Sequence, residues 1–124
     1  MVLVDLISTL KNDKTLKSLL NATITESKIH PMPCNEDGIS YNYNDLTNDA
    51  LVRQSQFKAT IIHDDLMKCY EIKERVDNLL ITLGDQSFNK DIMSIAQTGG
   101  GFFYDADLQK YKVVTIYTIQ ERMM

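Results

Sequence analysis

The sequence has few cysteines and no long apolar run, and each shortage excludes a class of protein. Cys34 and Cys69 are too few for a disulfide framework and form no C-x-x-C pair, so we expect free thiols in a reducing compartment. No segment approaches the ~20 apolar residues that cross a membrane. The first residues also lack the basic region and cleavage site of a signal peptide. We therefore expect no membrane partner.

Excess positive charge is also lacking. The formal net charge is -4, the sequence pI is about 5.0, and the basic residues are scattered among acids. This argues against a protein whose main task is to grip nucleic acid, because phosphate neutralisation needs clustered Lys and Arg. It is compatible with a subunit beside a DNA channel, where an acidic or mixed lining lets DNA pass without adhering.

The composition that remains is that of a globular domain. Hydrophobic residues make up 44% and charged residues 24% of 124 residues, with no repeats, linkers or low-complexity tracts. This length predicts one domain, residues 1–124, with one core.

Apolar residues recur at helical spacing in three segments. The first two form one bent helix or two short ones, with Asp13 as an N-cap between them. The third begins after Asp64 or Asp65 and is predicted to run to about Leu83, where Gly84 ends it. The stripes comprise Leu3, Leu6, Ile7 and Leu10, then Leu16, Leu19 and Leu20, then Leu66, Cys69, Ile72, Val76, Leu79, Leu80 and Leu83.

Alternating or β-branched segments predict strands at residues 23–30, 39–43, 51–63, 91–98 and 111–120. We expect loops at residues 34–38 and 44–49, a break at the three glycines Gly99, Gly100 and Gly101, and a turn at residues 106–107. Both faces of the last strand are partly apolar, so we expect it to be central or covered. This order predicts an α+β fold, a mostly antiparallel sheet with the N-terminal helix and one long central helix packed on one face.

No motif indicates catalysis. His63, Asp64 and Asp65 could form a metal or acid–base cluster, but a helix cap at the end of a strand explains them more simply. His30 and Cys34 are four residues apart, yet Pro31 and Pro33 exclude a helix that would align them.

Three other patterns are incomplete versions of known sites. Residues 35–38 lack the spacing and closing Glu of a calcium loop, and Asp105 with Asp107 fits a turn better than a cation site. The three glycines lack the following Lys and helix of a phosphate loop. A bulge or wide turn, or the close approach of another subunit's backbone, explains them better.

Three consecutive aromatic residues, Phe102, Phe103 and Tyr104, follow the glycines. Successive strand residues point to opposite faces, so at least one ring is exposed or buried by a partner. Aromatic residues are common anchors of protein interfaces. Tyr41 and Tyr43 are weaker signals of the same kind.

The chain resembles the tail-completion, or tail-terminator, proteins of long-tailed (siphovirus-type) bacteriophages. The resemblance rests on the helical start at residues 3–16, Ile29-His30-Pro31 at a strand exit, residues 53–59 with Arg and Gln, and the close from Gly99 through Tyr104-Asp105 to the last strand. Residues 35–38 depart from it, since the family moves directly from the proline into the next strand.

The resemblance implies a non-enzymatic virion protein without cofactor or metal. Its expected form is a homohexameric ring at the head-proximal end of the tail, assembled in the bacterial cytoplasm. It would bind the tail-tube protein and the head-closure or connector protein, with genome DNA passing through without sequence-specific binding. The candidate subunit interface comprises Tyr41, Tyr43, Gly99, Gly100, Gly101, Phe102, Phe103, Tyr104 and Tyr117. The alternatives are another neck protein, a small metal-dependent hydrolase and a cytosolic binding module.

Overall fold

The computed structural model describes residues 2–23, 26–49, 51–83, 89 and 91–122. Within these residues there are three helices and six strands. They are α1 (Val2–Asn12), α2 (Lys14–Leu20), β1 (Ile29–Pro31), β2 (Gly38–Asn48), β3 (Val52–His63), α3 (Leu66–Leu80), β4 (Thr82–Leu83), β5 (Ile92–Asp105) and β6 (Lys110–Arg122).

The described strands form one sheet in the order β1-β2-β3-β6-β5-β4. The β1–β2 pair is parallel and all other pairs are antiparallel. The predicted α+β fold is therefore confirmed, and β6 is central, as its two apolar faces predicted. None of the helices in the described part of the chain has the length and apolar character of a transmembrane span.

The three helices pack on one face of the sheet, which we call the helix face. Its core joins apolar residues from every helix to the inward-facing rows of the strands. Asp13 caps α2 through Leu16 N–H at 2.8 Å and also makes a two-point contact with the Arg75 guanidinium on α3. The predicted cap is confirmed, and it also ties α2 to α3.

The long helix starts where predicted and ends earlier. Asp65 is its N-cap, but the helix stops at Leu80 and Ile81 is already extended. Thr82 and Leu83 then pair with Ile95 and Ser94 of β5, which gives a short strand, β4, that the sequence did not predict. The prediction that Leu83 lies on the helix was wrong, because sheet pairing outweighs its helical spacing. Gly84 lies outside the described residues.

Two predicted interruptions in the strands were wrong. The loop expected at residues 44–49 belongs to β2, which pairs with β3 as far as Asn48 around a bulge between Asp45 and Thr47. The three glycines do not break β5, which runs through them to Asp105 with an irregularity between Gln97 and Gly99. In both cases a continuous neighbouring strand provides hydrogen bonds that override the local turn preference. The bulge interpretation of the glycines agrees with this geometry.

The first predicted strand is shorter than expected. It spans only Ile29–Pro31, and Ile24 and Thr25 of the predicted segment lie outside the described residues. The turn at residues 106–107 is confirmed.

Candidate subunit interface

The outer side of β5 is a free sheet edge over most of its length. Among the described residues, β4 pairs with Ser94 and Ile95 alone, so residues 96–105 have a neighbouring strand only on the β6 side. An edge of this kind presents unpaired backbone N–H and C=O groups to any second strand. We call residues 96–105 the β5 edge.

The aromatic run lies on this β5 edge and is exposed. The accessible fractions of Phe102, Phe103 and Tyr104 are 54%, 49% and 52%. Phe102 contacts Tyr70 of α3 edge-on at 6.2 Å between ring centroids, and Tyr104 contacts Tyr111 at 5.0 Å, so both lie on the helix face. Phe103 lies on the opposite face. The described residues of the chain thus leave all three rings partly exposed.

The three glycines of the β5 edge have different surroundings. Gly100 has a φ of +148°, and a Cβ there would lie 2.5 Å from the Val114 carbonyl oxygen of β6. The close approach that the glycines predicted is therefore made, at Gly100, by this chain's own backbone. Gly101 has no atom within 4 Å of such a Cβ, and Gly99 would meet only the Ile116 side chain at 3.4 Å.

The candidate tyrosines of β2 lie at the other end of the sheet. Tyr41 and Tyr43 are half-buried, and Tyr41 stacks on Phe57 at 5.8 Å. Because β1 pairs only with residues 39–41 of β2, residues 42–48 form a second free edge in the described structure. We call these residues the β2 edge. It carries the exposed Leu46 and lies opposite the β5 edge across the sheet.

Tyr117 does not belong to the candidate interface. Its side chain is fully buried in the core, stacks on Phe57 and donates a hydrogen bond to Asp77 of α3. Burial raises the pKa of this phenol far above its ordinary value. The sequence could not reveal this, because alternation assigns a face to Tyr117 but does not say that α3 covers that face.

The polar side chains near His63 and Asp105 have structural roles. Asp65 accepts a hydrogen bond from Met67 N–H as the cap of α3, while His63 Nδ1 accepts one from Asp65 N–H at 3.0 Å. Asp105 accepts from the backbone N–H groups of Asp107 and Leu108, which makes it a turn residue. These contacts occupy the same side chains that a metal or acid–base site would need.

The segment after β1 folds over the face of the sheet opposite the helices. Lys110 forms an ion pair with Asp37, and Lys112 Nζ lies 3.4 Å from Asn35 Oδ1. A groove of about 290 Å³ lies between this segment, the sheet and Phe103. The same segment brings His30, Cys34 and Glu36 together, with ligand atoms all within 4.8 Å of one another. Pro31 and Pro33 do exclude a helix between His30 and Cys34, but the non-helical segment brings the two side chains together instead.

Comparison with known proteins gives a similarity in fold. No protein-family model matches the chain, and no curated protein is similar to it in sequence. Its fold is similar to that of a chain in the virion of a native gene transfer agent particle, with a TM-score of 0.65 and 10% sequence identity. The similarity covers 94% of this chain and 91% of that chain. At this identity the similarity concerns the fold.

Proposed function

We propose that this chain is a structural virion protein that forms a ring at the head-proximal end of a phage tail. The ring caps the tail tube and joins it to the head connector. The protein acts as a single tail-terminator-like domain, residues 1–124, and performs no catalysis. Its partners are further copies of itself, the tail-tube protein and the head-closure or connector protein.

The observation that carries the proposal is the fold similarity to a chain of a phage-like virion over nearly the whole length of both chains. The sequence resemblance to tail-completion proteins supports a position at the head-proximal end of the tail. It rests on the order of elements, and the described helices and strands follow that order apart from the added β4.

The two free edges supply the geometry that a ring needs. A closed ring of identical subunits uses a heterologous interface, in which one patch meets a different patch on the next copy. The candidate residues other than Tyr117 fall into two such patches, with Tyr41 and Tyr43 on β2 and residues 99–104 on the β5 edge. We propose that the β5 edge of one subunit packs against the β2 edge of the next, with main-chain pairing supplying affinity.

The charge of the chain suits a ring around a DNA channel. The net charge of -4, with basic residues scattered among acids, disfavours tight retention of passing DNA. Genome DNA therefore crosses the ring without sequence-specific binding.

Substitution of the aromatic run tests the proposal. We expect Phe103→Ser with Tyr104→Ser to remove the chain from purified particles and to lower the titre of complete particles from a deletion strain by at least ~100-fold, since interface anchors contribute ~2 kcal/mol or more each. Val4→Ser is the matched control, because Val4 is 56% exposed and lies on α1 rather than on either strand edge. Normal incorporation and titre of a correctly folded double variant would contradict the proposed interface.

A further inference from the structure

His30, Cys34 and Glu36 form a compact group of metal-binding side chains outside the candidate interface. His30 lies on β1, and the other two follow in the segment that crosses the face opposite the helices. The imidazole nitrogen, thiol sulfur and carboxylate oxygen are all within 4.8 Å of one another. Within the described part of the chain, it is the one group of three such ligands.

The fold holds this group from both sides. On the β1 side, Met32 N–H donates to the Tyr41 carbonyl at 2.8 Å, which fixes the start of the segment against β2. On the far side, Asp37 pairs with Lys110, and Ile39 N–H donates to the Lys28 carbonyl at 2.8 Å. The backbone between these anchors carries Cys34 and Glu36, so their proximity to His30 follows from the path of the chain.

The three side chains are also free to bind. Among the described residues, none of them makes a hydrogen bond or an ion pair through its side chain. His30 and Cys34 are half-buried and Glu36 is exposed, which leaves a route for an ion from solvent. Cys69 differs, because its thiol is fully buried, points at backbone carbonyls and has a pKa raised to about 11 by burial.

We propose that His30, Cys34 and Glu36 bind one Zn²⁺ ion. Nitrogen, thiolate and carboxylate ligands are those that zinc takes in proteins, at bond lengths of about 2.0–2.3 Å. A tetrahedral site with these bond lengths places its ligand atoms about 3.5 Å apart. The ligand atoms here lie within 4.8 Å of one another, so the largest of these distances needs to shorten by about 1 Å. Binding displaces the Cys34 thiol proton to solvent, and a water completes the fourth position.

A neighbouring residue is placed to support the imidazole. Ser40 lies beside His30 in the β1–β2 pair, and its buried Oγ has no hydrogen-bond partner within the described residues. Zinc-bound histidines almost always donate their second ring N–H to an outer acceptor. The ion would fasten residues 32–37 to β1 and so fix one wall of the groove that contains Phe103. This inference does not depend on the ring, because the group lies within one subunit.

Cobalt substitution tests the site directly. We expect chelator-treated, folded protein to bind one Co²⁺ per chain with a thiolate-to-cobalt charge-transfer band, and Zn²⁺ to displace it. Cys34→Ser should abolish that band. His30→Ala and Glu36→Gln should each weaken binding at least about 10- to 100-fold, because even residues that only support a metal ligand contribute that much to affinity. His63→Ala is the matched control, because it removes the other histidine and should leave the titration unchanged.

Thiol alkylation tests the site without any substitution. Zn²⁺ should slow alkylation of Cys34 in the wild-type protein at least tenfold, and a chelator should restore the rate, while Cys69 stays unmodified. A Cys34 alkylation rate that does not change with zinc overturns the proposal. A charge-transfer band that survives in folded Cys34→Ser also overturns it.

Discussion

The two halves of β5 have the same pairing with β6 but different surroundings. In the first half, Ile92 and Ile95 are 2% and 1% exposed, and Ile95 has β strands on both sides. In the second half, Phe102, Phe103 and Tyr104 are each about half exposed, and the strand has only one neighbour among the described residues.

The difference separates folding from assembly within one strand. In the first half, helices and strands of the same chain cover Ile92 and Ile95, so these apolar side chains stabilise the monomer. The second half presents three large rings and an outer edge that no other described strand pairs with, and exposed aromatic rings are common interface anchors. We infer that the first half holds the fold and the second half contacts a neighbouring subunit, and the following changes test that division from the largest expected effect to the smallest.

Truncation of the buried half should have the largest effect on stability. Ile95→Ala removes a buried side chain from the core, so we expect it to lower the free energy of unfolding by about 2–5 kcal/mol. Phe102→Ala removes a larger side chain at the exposed half and should cost about 1 kcal/mol or less. Urea denaturation of the two variants measures both values. Equal losses would show that the two halves do not differ as described.

Two adjacent glycines should respond differently to the same substitution. Gly100→Ala places a Cβ against the Val114 carbonyl at a positive φ, so we expect a loss of about 1–3 kcal/mol. Gly101→Ala meets no atom within 4 Å, and its effect should stay within about 0.5 kcal/mol. Thermal unfolding of both variants checks the pair. A neutral Gly100→Ala would mean that the β5 edge does not approach β6 as closely as described.

The helix layer over the buried half should show a smaller, pH-dependent effect. Asp13→Ala removes the cap of α2 and should cost about 0.5–2 kcal/mol. Hydrogen bonding from Arg75 holds the pKa of Asp13 below its ordinary value of 3.8. The ionised group therefore stabilises the fold above pH 4, and this contribution is lost as the pH falls through the lowered pKa.

Asp13→Asn separates the cap from the ion pair. Asn caps helices about as well as Asp, so this variant should be less destabilised than Asp13→Ala. Because Asn does not titrate, the stability of this variant should fall less below pH 4 than that of the wild type. Denaturation curves at several pH values from 3 to 7 compare the three proteins. An acid dependence identical to that of the wild type would contradict the role of the Arg75 contact.

Features set by local spacing could be predicted from the sequence. The helical stripe of α3, the caps at Asp13 and Asp65 and the two-faced character of β6 are all encoded within short segments. Strand alternation also predicted that at least one ring of the aromatic run is exposed or covered by a partner, and all three are exposed.

Features set by distant partners could not be predicted. Residues 44–49 and the three glycines have turn-forming composition, but continuous neighbouring strands hold them in the sheet. Tyr117 is an aromatic residue of the kind common at interfaces, yet α3 covers its side chain. Proximity of His30, Cys34 and Glu36 depends on where β1 lies beside β2, and one-dimensional spacing does not contain that information.

The most direct test of the proposed role is an electron cryomicroscopy reconstruction of particles assembled with this chain. The account predicts a closed ring of copies at the head-proximal end of the tail, with the β5 edge of each subunit packed against the β2 edge of the next. Absence of the chain from the particle would contradict the account, and so would a ring in which Phe102, Phe103 and Tyr104 all face solvent.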